Sequence, residues 1–347
     1  MLDSSWIKVA VLCTIGICVQ AMPFSATHNA SAARSESVSK IAFASHRDGN
    51  WEIYVMDADG RHQTRLTTRV EQDRFPLWSP DASKIAFGSQ IGTQGWELWI
   101  MNADGTGFKQ LCSRISAKGY REWSPDGARI VLAATIDGDL EIFSVRGDGA
   151  GLTRLTTSGG EDNDPSWSPD GKSIVFSSMR DGNREIYVMR ADGSGVTRLT
   201  NDPAADGSPT WSPDGSTIAF ASARDGGQSG HEIYRMRPDG SHVERLTVGA
   251  GSSRDMPRWS PDGSRIAFQA VRGDNYDIEV VRIADRKRIK VAASPAYDGS
   301  YDWSHDGTQL AFISSRHGAD ALYVTDAEGK SARRLTAGRS LNPAWSR

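Results

Sequence analysis

Cysteine is scarce in this chain, with three residues among 347. Cys13 and Cys18 fall in an apolar stretch near the N-terminus, and Cys112 stands alone in the remainder. A chain cleaved after that stretch keeps one thiol and forms no internal disulfide. The sequence therefore excludes a small scaffold held by disulfides, and stability has to come from packing and hydrogen bonding.

The chain also lacks an excess of charge of either sign. Lys and Arg number 40 and Asp and Glu number 43, which gives a formal net charge of −3 and a pI near 6.2. Binding of nucleic acid usually requires a basic face. We therefore expect no nucleic-acid partner.

Recognisable catalytic and metal motifs are missing as well. There is no Gly-x-Ser-x-Gly elbow, and the seven histidines show neither paired spacing nor a common phase. The segment Asp57-Ala58-Asp59-Gly60 begins like a calcium loop, but the later ligands and the closing Glu are absent, so it predicts a hairpin turn. We expect no catalytic residue and no cofactor.

The longest apolar run, Val9 to Val19, has about half of the ~20 residues that a membrane-spanning helix needs. A short polar start carrying Lys8 precedes it, and the small-residue sites Val19-Gln20-Ala21 and Ala30-Ser31-Ala32 follow. This layout is typical of a secretory signal peptide. We therefore interpret residues 1–33 as signal peptide and leader, with the mature chain starting between Met22 and Ala33 and exported to the periplasm or the exterior. A retained anchor is the alternative; the mature chain is expected to have no membrane span.

What the sequence does contain is a repeat of about 44 residues. The pair Trp-Ser recurs seven times, with spacings of 45, 44, 44, 48, 44 and 42 residues, at Trp78, Trp123, Trp167, Trp211, Trp259, Trp303 and Trp345. A Pro-Asp-Gly-type turn, an apolar segment such as Ile218-Ala219-Phe220, a polar Arg-Asp-Gly loop, a second apolar segment and an Arg-Leu-Thr word follow in order. Short β-branched and aromatic runs bounded by Pro, Gly and Asp predict strands, here four per repeat, named a (Trp-Ser), b, c and d.

The two ends of the repeat array complement one another. The first repeat starts at strand b, Lys40-Ile41-Ala42-Phe43, and the last ends at strand a, Asn342 to Ser346. Pairing these two strands completes a unit and removes both open edges, which only a closed ring does. The sequence therefore predicts an all-β fold over residues 34–347: a seven-bladed β-propeller of four-stranded antiparallel blades, closed by its terminal strands.

The Trp-Ser-Pro-Asp-Gly, Ile-Ala-Phe, Glu-Ile-Tyr-Val-Met and Arg-Leu-Thr words over residues 40–347 resemble the propeller repeats of the TolB-like family. TolB is a periplasmic protein of the bacterial Tol–Pal envelope system, in which an α/β domain precedes a six-bladed propeller. The present sequence has seven copies and no room for that domain before residue 40. The resemblance implies a propeller that binds a protein or peptide rather than an enzyme.

Several positions are candidates for packing or for lining the central tunnel. A tryptophan at one place in every repeat predicts packing between blades, with ligand stacking as the alternative. The residue before each tryptophan varies and is charged in Glu122, Arg258 and Asp302. Strand a is usually innermost in such propellers, so these three side chains are expected either to line a wet tunnel or to form local ion pairs.

Aspartates recur four or five residues before the repeat tryptophan, in the d–a loops, at Asp73, Asp162, Asp206, Asp255 and Asp298. Lys118 and Ser340 stand there in two other copies. Asp in a loop often bonds its own backbone. The alternative is an acidic tunnel mouth, where converging carboxylates would bind a cation or a Lys- or Arg-bearing segment.

Strand c usually opens with Glu, at Glu52, Glu97, Glu141, Glu185 and Glu232. We expect each Glu to pair with the Arg of the preceding b–c loop. Taken together, the patterns favour an exported, monomeric scaffold that binds an envelope or secreted protein or peptide at one face or at the tunnel mouth. The alternative is a carbohydrate-active or metal-dependent propeller enzyme of the lyase or lactonase type.

Overall fold

The computed structural model describes residues 39–92, 95–113, 121–135, 138–225, 230–249 and 257–346. These residues form 28 strands in seven four-stranded antiparallel sheets, and the described part of the chain contains no helix. Accordingly, no helix among them is long and apolar enough to cross a membrane. The predicted all-β fold of seven blades is confirmed; residues 1–33, with the predicted signal peptide, lie outside the described residues.

The blades follow one another along the chain, and each presents its strands in the order a, b, c and d. Blade 1 contains β1 (Lys40–Ser45), β2 (Glu52–Asp57), β3 (Thr64–Arg65) and the last strand of the chain, β28 (Ser340–Trp345). Blade 2 contains β4 (Asp73–Trp78), β5 (Lys84–Ile91), β6 (Gly95–Asn102) and β7 (Lys109–Cys112). Blade 3 contains β8 (Arg121–Trp123), β9 (Arg129–Thr135), β10 (Leu140–Arg146) and β11 (Thr153–Arg154).

The remaining four blades repeat this layout. Blade 4 contains β12 (Asp162–Trp167), β13 (Ser173–Ser178), β14 (Glu185–Arg190) and β15 (Thr197–Arg198). Blade 5 contains β16 (Asp206–Trp211), β17 (Ile218–Ser222), β18 (Glu232–Met236) and β19 (Glu244–Arg245). Blade 6 contains β20 (Arg258–Trp259), β21 (Arg265–Arg272), β22 (Asn275–Arg282) and β23 (Arg288–Ala292). Blade 7 contains β24 (Asp298–Trp303), β25 (Gln309–Ser314), β26 (Ala321–Asp326) and β27 (Arg333–Arg334).

Strands β28 and β1 close the ring. They pair antiparallel, with Ile41 opposite Trp345 and Ala42 opposite Ala344. At the end of the pair, the Ser346 N–H donates to the Lys40 carbonyl (2.8 Å) and the Lys40 N–H donates to Ser346 Oγ (2.9 Å). The predicted pairing of the two terminal strands is therefore confirmed.

The connections divide between the two faces of the ring. The a–b and c–d turns emerge on one side, here called the turn face, and the b–c and d–a connections on the other, the loop face. In the a–b turns the Ser after each tryptophan donates to the Asp of Pro-Asp-Gly, as Ser168 Oγ does to Asp170 (2.6 Å). A Cβ added to Gly171 of this turn would lie 3.8 Å from Pro125 in the preceding blade's turn, so these turns also stack from blade to blade.

The hydrophobic core fills the spaces between blades. Strand b contains a fully buried phenylalanine at the same repeat position in six blades: Phe43, Phe87, Phe176, Phe220, Phe268 and Phe312. The strand-a tryptophan packs against the blade before it, as Trp167 of blade 4 does against Val131 and Ile142 of blade 3. Four of the indoles also donate to the carbonyl before the preceding blade's tryptophan, as Trp303 Nε1 does to Arg258 (3.0 Å). Burial of such area between blades is the main favourable contribution to folding.

A bulge interrupts strand a three residues before its tryptophan. The register with strand b shifts there, and the bulge residue has φ between +46° and +58° in the five blades where it is described: Phe75, Asp164, Ser208, Ser300 and Asn342. Beyond the bulge, the loop-face end of strand a stays paired with strand b in a register shifted by one residue, as Asp73 is with Ser89. Small polar residues tolerate this conformation, whereas a bulky residue such as Phe75 is strained in it.

Candidate functional site

The predicted acidic positions open strand a and are deeply buried. The side chains of Asp73, Asp162, Asp206 and Asp298 are 0% exposed. Three of them are paired with an arginine of their own blade's b–c loop: Arg180 to Asp162 at 3.0 Å, Arg224 to Asp206 at 2.6 Å and Arg316 to Asp298 at 3.0 Å. Asp255 lies outside the described residues.

The Arg–Asp ion pairs reduce the negative charge that these positions present to solvent. A carboxylate without exposed surface, neutralised by a guanidinium, presents little negative charge to solvent. The three paired arginines keep some exposed surface and the aspartates keep none, so binding of a partner by the aspartates stays a prediction.

Asp73 differs from the other three because its b–c loop supplies no arginine. Its nearest cation is Arg69 of the d–a loop, whose Nε lies 4.0 Å from Oδ1. Burial raises the pKa of Asp73 to about 6, and the Ser89 hydroxyl and Arg69 offset only part of that rise.

The b–c loops that begin with arginine make their contacts within their own blade. In blades 4, 5 and 7 the arginine lies over the strand-b phenylalanine and the strand-c tyrosine, with Arg180 Cζ 5.3 Å from the Phe176 centroid and 4.9 Å from that of Tyr187. The loop aspartate accepts a hydrogen bond from the tyrosine hydroxyl in three blades, as Asp48 does from Tyr54. Burial and that carboxylate raise the pKa of Tyr54 to about 12. Repetition of these loops therefore reflects local stability.

The expected pairing of the strand-c glutamates with the b–c loop arginine is wrong. The arginine of Arg-Leu-Thr in strand d takes that place: Arg198 Nη2 lies 2.9 Å from Glu185 Oε1, and the Thr200 hydroxyl donates to Oε2 at 2.5 Å. Strands c and d are adjacent in the sheet, which brings the two ends together, while the loop arginine turns inward to strand a. The same contacts recur around Glu52, Glu141 and Glu232.

The three charged residues before a tryptophan link neighbouring inner strands. Glu122 Oε2 accepts the backbone N–H of Trp167 (3.0 Å), and Asp302 Oδ2 accepts that of Trp345 (2.9 Å). Arg258 Nη1 lies 3.4 Å from Asp302 Oδ1, and the side chains are 48% and 24% exposed. The ion pair between blades 6 and 7 is thus partly exposed to solvent, and the lining of a tunnel by these side chains stays a prediction.

The residues that differ between blades are concentrated in one sector of the loop face. Trp51 and Trp96 stand one residue before the strand-c glutamates of blades 1 and 2, at the position where blades 4 and 7 have Arg184 and Asp320. The position two before the tryptophan is Pro in five repeats but Arg121 in blade 3. The repeat pattern does not predict these residues, because each one departs from it. They are found by aligning the seven repeats and noting the single residue that differs at a position.

Exposed apolar side chains add to this face. Val70 is 95% exposed and Val248 72%, both in d–a loops, and Ile91, Met179 and Tyr297 are exposed on the same side. The turn face holds a cavity of about 820 Å³ between the turns of blades 2 and 3, with Asp81, Lys84, Arg129 and Arg146 among its lining. Within the described ranges, no group of three or more His, Cys, Asp or Glu side chains is placed to hold a metal ion.

The family model described as TolB beta propeller domain matches residues 115–184, 165–256 and 250–347, well over half of the chain. No curated protein matches significantly.

The fold is shared with solved structures. TolB from Acinetobacter baumannii is 20% identical with a TM-score of 0.60; the match covers 89% of this chain and 66% of that protein. A putative TolB from Agrobacterium tumefaciens is 23% identical with a TM-score of 0.52, covering 88% and 90%. An oligogalacturonate lyase in complex with manganese is 18% identical with a TM-score of 0.67, covering 83% and 85%. At such identities the likeness concerns the fold alone, and it leaves open whether the chain is an enzyme.

Proposed function

The chain belongs to the TolB beta propeller domain family, and on that premise we propose that it is an exported scaffold whose loop face binds a protein or peptide partner. Loops held on a rigid scaffold commonly carry binding specificity. The periplasm is the proposed location, in keeping with the signal-like N-terminal sequence and with the TolB family, and the partner is an envelope or secreted protein.

The observation that carries the proposal is the exposed apolar surface of the d–a loops. The Val70 side chain is 95% exposed to water in the isolated protein. Its burial by a partner would contribute favourable hydrophobic free energy to binding. Val248 repeats the feature between blades 5 and 6. Larger exposed apolar area rimmed by polar residues is typical of interaction sites.

The turn face offers a contrast. Its a–b turns are short and uniform, and their Ser, Asp and Gly are engaged within the turn or with the neighbouring blade. The turn face also carries exposed apolar side chains such as Val196, but the two most exposed valines, Val70 and Val248, lie in the variable loops of the loop face. A partner that binds this protein specifically would therefore find more distinctive surface on the loop face than on the turn face.

A capture experiment with envelope extract tests the proposal. The purified protein, the loop-face variant Val70→Asp/Val248→Asp and the turn-side control Leu152→Asp/Val196→Asp are immobilised in parallel. Bound proteins are identified by mass spectrometry, and equal melting temperatures establish that the fold is intact. We expect one set of proteins to be retained by the parent and the control and lost by the loop-face variant. Retention by all three, or loss in the control alone, would contradict the proposal.

A further inference from the structure

Three arginines and three aromatic rings form a continuous run across blades 1, 2 and 3 on the loop face. We call it the arginine–aromatic ladder; in spatial order it consists of Arg121, Phe75, Trp96, Arg74, Trp51 and Arg339. Arg121 Cζ lies 5.3 Å from the Phe75 centroid, and Phe75 meets Trp96 edge to face at 5.3 Å. Arg74 Cζ lies 6.0 Å from the Trp96 centroid and 4.6 Å from that of Trp51, and Arg339 Cζ is 5.4 Å from Trp51.

The guanidinium groups of the ladder lack carboxylate partners. Elsewhere on this face Arg180, Arg224 and Arg316 each pair with a buried aspartate. In the part of the chain that the structure describes, no ion pair reaches Arg74, Arg121 or Arg339, and Arg74 donates instead to the neutral amide of Gln72 (2.5 Å). The cations of the ladder are thus available to an external anion.

The electrostatics of the run favour such an anion. Burial lowers the pKa of Arg121 to about 10, and burial together with nearby Arg339 lowers the pKa of Arg74. The Nε of Arg74 is buried without a hydrogen-bond acceptor. Like charges held together in a partly desolvated place are costly, and a carboxylate bound beside them relieves the repulsion. The planar guanidinium group matches a carboxylate with two parallel hydrogen bonds.

We propose that the arginine–aromatic ladder is a carboxylate-binding subsite of the loop face, and that its occupant is an acidic segment of the protein or peptide partner. This inference rests on the proposed function and gives the partner a chemistry. Trp and Arg are among the residue types that dominate protein interfaces, and the ladder presents both. Val70, in the d–a loop between blades 1 and 2, and Ile91, at the end of β5, are exposed and offer apolar contact that a small free anion would leave unused.

The test measures binding of a fluorescent peptide of alternating Glu and Ser by fluorescence anisotropy. The same peptide with Gln for every Glu is the neutral comparison, and polygalacturonate is the carbohydrate comparison. Variants Arg74→Gln and Arg339→Gln remove one cation each; Arg339 is exposed, so its removal spares the core. Arg146→Gln, whose exposed arginine pairs with Asp148 on the turn face, is the matched control.

We expect the Glu peptide to bind in a salt-dependent manner and the Gln peptide to bind at least ten-fold more weakly. Each ladder variant is expected to weaken Glu-peptide binding roughly ten-fold, as loss of a charge-assisted hydrogen bond does, with no change in Arg146→Gln. Equal binding of the two peptides, or equal loss in Arg146→Gln, overturns the inference. Binding of polygalacturonate but not of the Glu peptide overturns the peptide assignment in favour of an acidic carbohydrate.

The two proposals fail in different ways. If the envelope proteins captured by the parent are lost with Val70→Asp/Val248→Asp but retained by Arg74→Gln and Arg339→Gln, the loop face binds a partner and the ladder does not. If the valine variant retains them, the proposed function itself is wrong, whatever the peptide does.

Discussion

The Ser346 hydroxyl accepts the Lys40 N–H at 2.9 Å, across 306 residues of sequence. In the other six blades the equivalent serine accepts the N–H at the start of strand b from within one turn, as Ser212 Oγ does from Thr217 (3.0 Å). The ring is therefore closed by the same hydrogen bond that is found in every a–b turn. In blade 1 the two residues that form it are not joined by a turn, because they belong to opposite ends of the repeat array.

Deleting residues 342–347 removes most of the closing strand. We expect a large fall in melting temperature, because both edges of the ring then lose their partner and the Trp345 side chain leaves the interface with blade 7. Loss of a buried tryptophan side chain alone costs about 3–5 kcal/mol. Thermal unfolding followed by circular dichroism measures the effect, and an unchanged melting curve would show that closure contributes nothing.

Ala82 stands where the other a–b turns have Gly, and its φ is +54°. Replacing it with Gly relieves a left-handed conformation that disfavours a Cβ, so Ala82→Gly is expected to stabilise the protein by about 1 kcal/mol. Ala128, in the corresponding turn of blade 3 and outside the positive-φ set, is the control. Ala128→Gly is expected to be neutral or slightly destabilising in urea unfolding; stabilisation by both changes would remove the conformational explanation.

Asp73 is expected to make stability fall as pH rises. Its folded-state pKa is raised from 3.8 to about 6, so the stabilisation from holding a proton is complete below about pH 4 and lost as pH rises through 6. Asp73→Asn, which stays neutral, should gain stability relative to the parent across this window, by about 2–3 kcal/mol at most at pH 7. Melting temperatures between pH 4 and 7 measure the difference.

Asp81 supplies a control of opposite sign. The hydroxyl of Ser79 and the N–H of Ser83 lower its pKa to about 2, so its stabilising contribution is present above about pH 4 and is lost as pH falls toward 2. Asp81→Asn should therefore lower the melting temperature at pH 7 and less so near pH 2. The same trend in both variants would contradict the assignment of either shift.

Asp206→Asn combined with Asp298→Asn tests what the buried aspartates do. Each change leaves a guanidinium group, Arg224 or Arg316, beside a neutral amide in a largely buried place. Breaking a buried ion pair by neutralising one partner costs up to about 3–5 kcal/mol. We expect a clear loss of stability; retained stability together with weaker, less salt-sensitive partner binding would instead support the acidic tunnel mouth.

Glu185 binds four groups at once: Arg198 at 2.9 Å, the Thr200 hydroxyl at 2.5 Å, the Asp202 N–H at 2.8 Å and the Asn183 side-chain amide at 3.1 Å. Glu185→Ala should therefore cost about 3–5 kcal/mol, and a double-mutant cycle with Thr200→Val should show coupling of about 0.5–3 kcal/mol. Blade 7 has Ala321 at this position. Ala321→Gly is a control that leaves ion pairs untouched, and its effect should stay near 1 kcal/mol.

The repeat made the fold predictable because each word marks one local structure. Trp-Ser and Pro-Asp-Gly specify a strand and a tight turn, and the incomplete units at Lys40 and Ser346 specify closure. The partners of charged residues were harder to predict from the sequence. A charged side chain can pair with a neighbour along the chain or with a residue of the adjacent strand, and the sequence does not distinguish the two. Glu185 is next to the b–c loop in sequence, yet Arg198 of the neighbouring strand reaches it.

The candidate site was the least predictable part. Its residues, such as Arg121 in place of a proline and Trp51 before strand c, occur at positions where the repeats disagree. Single departures of this kind carry no periodic signal, and only the ring brings Arg339 from one end of the chain to Trp51 at the other.

The pairing of β1 with β28 also bears on the order of events during biosynthesis. Among the described strands, β1 is synthesised first and its partner β28 last. The entropic cost of bringing β1 and β28 together grows only with the logarithm of the chain length between them. The long separation therefore delays ring closure more than it destabilises the closed ring. During that delay, the Lys40–Ser45 edge exposes unpaired backbone groups to any neighbouring chain. A holding chaperone or a rapid passage to the site of folding would shield that edge until the last strand arrives.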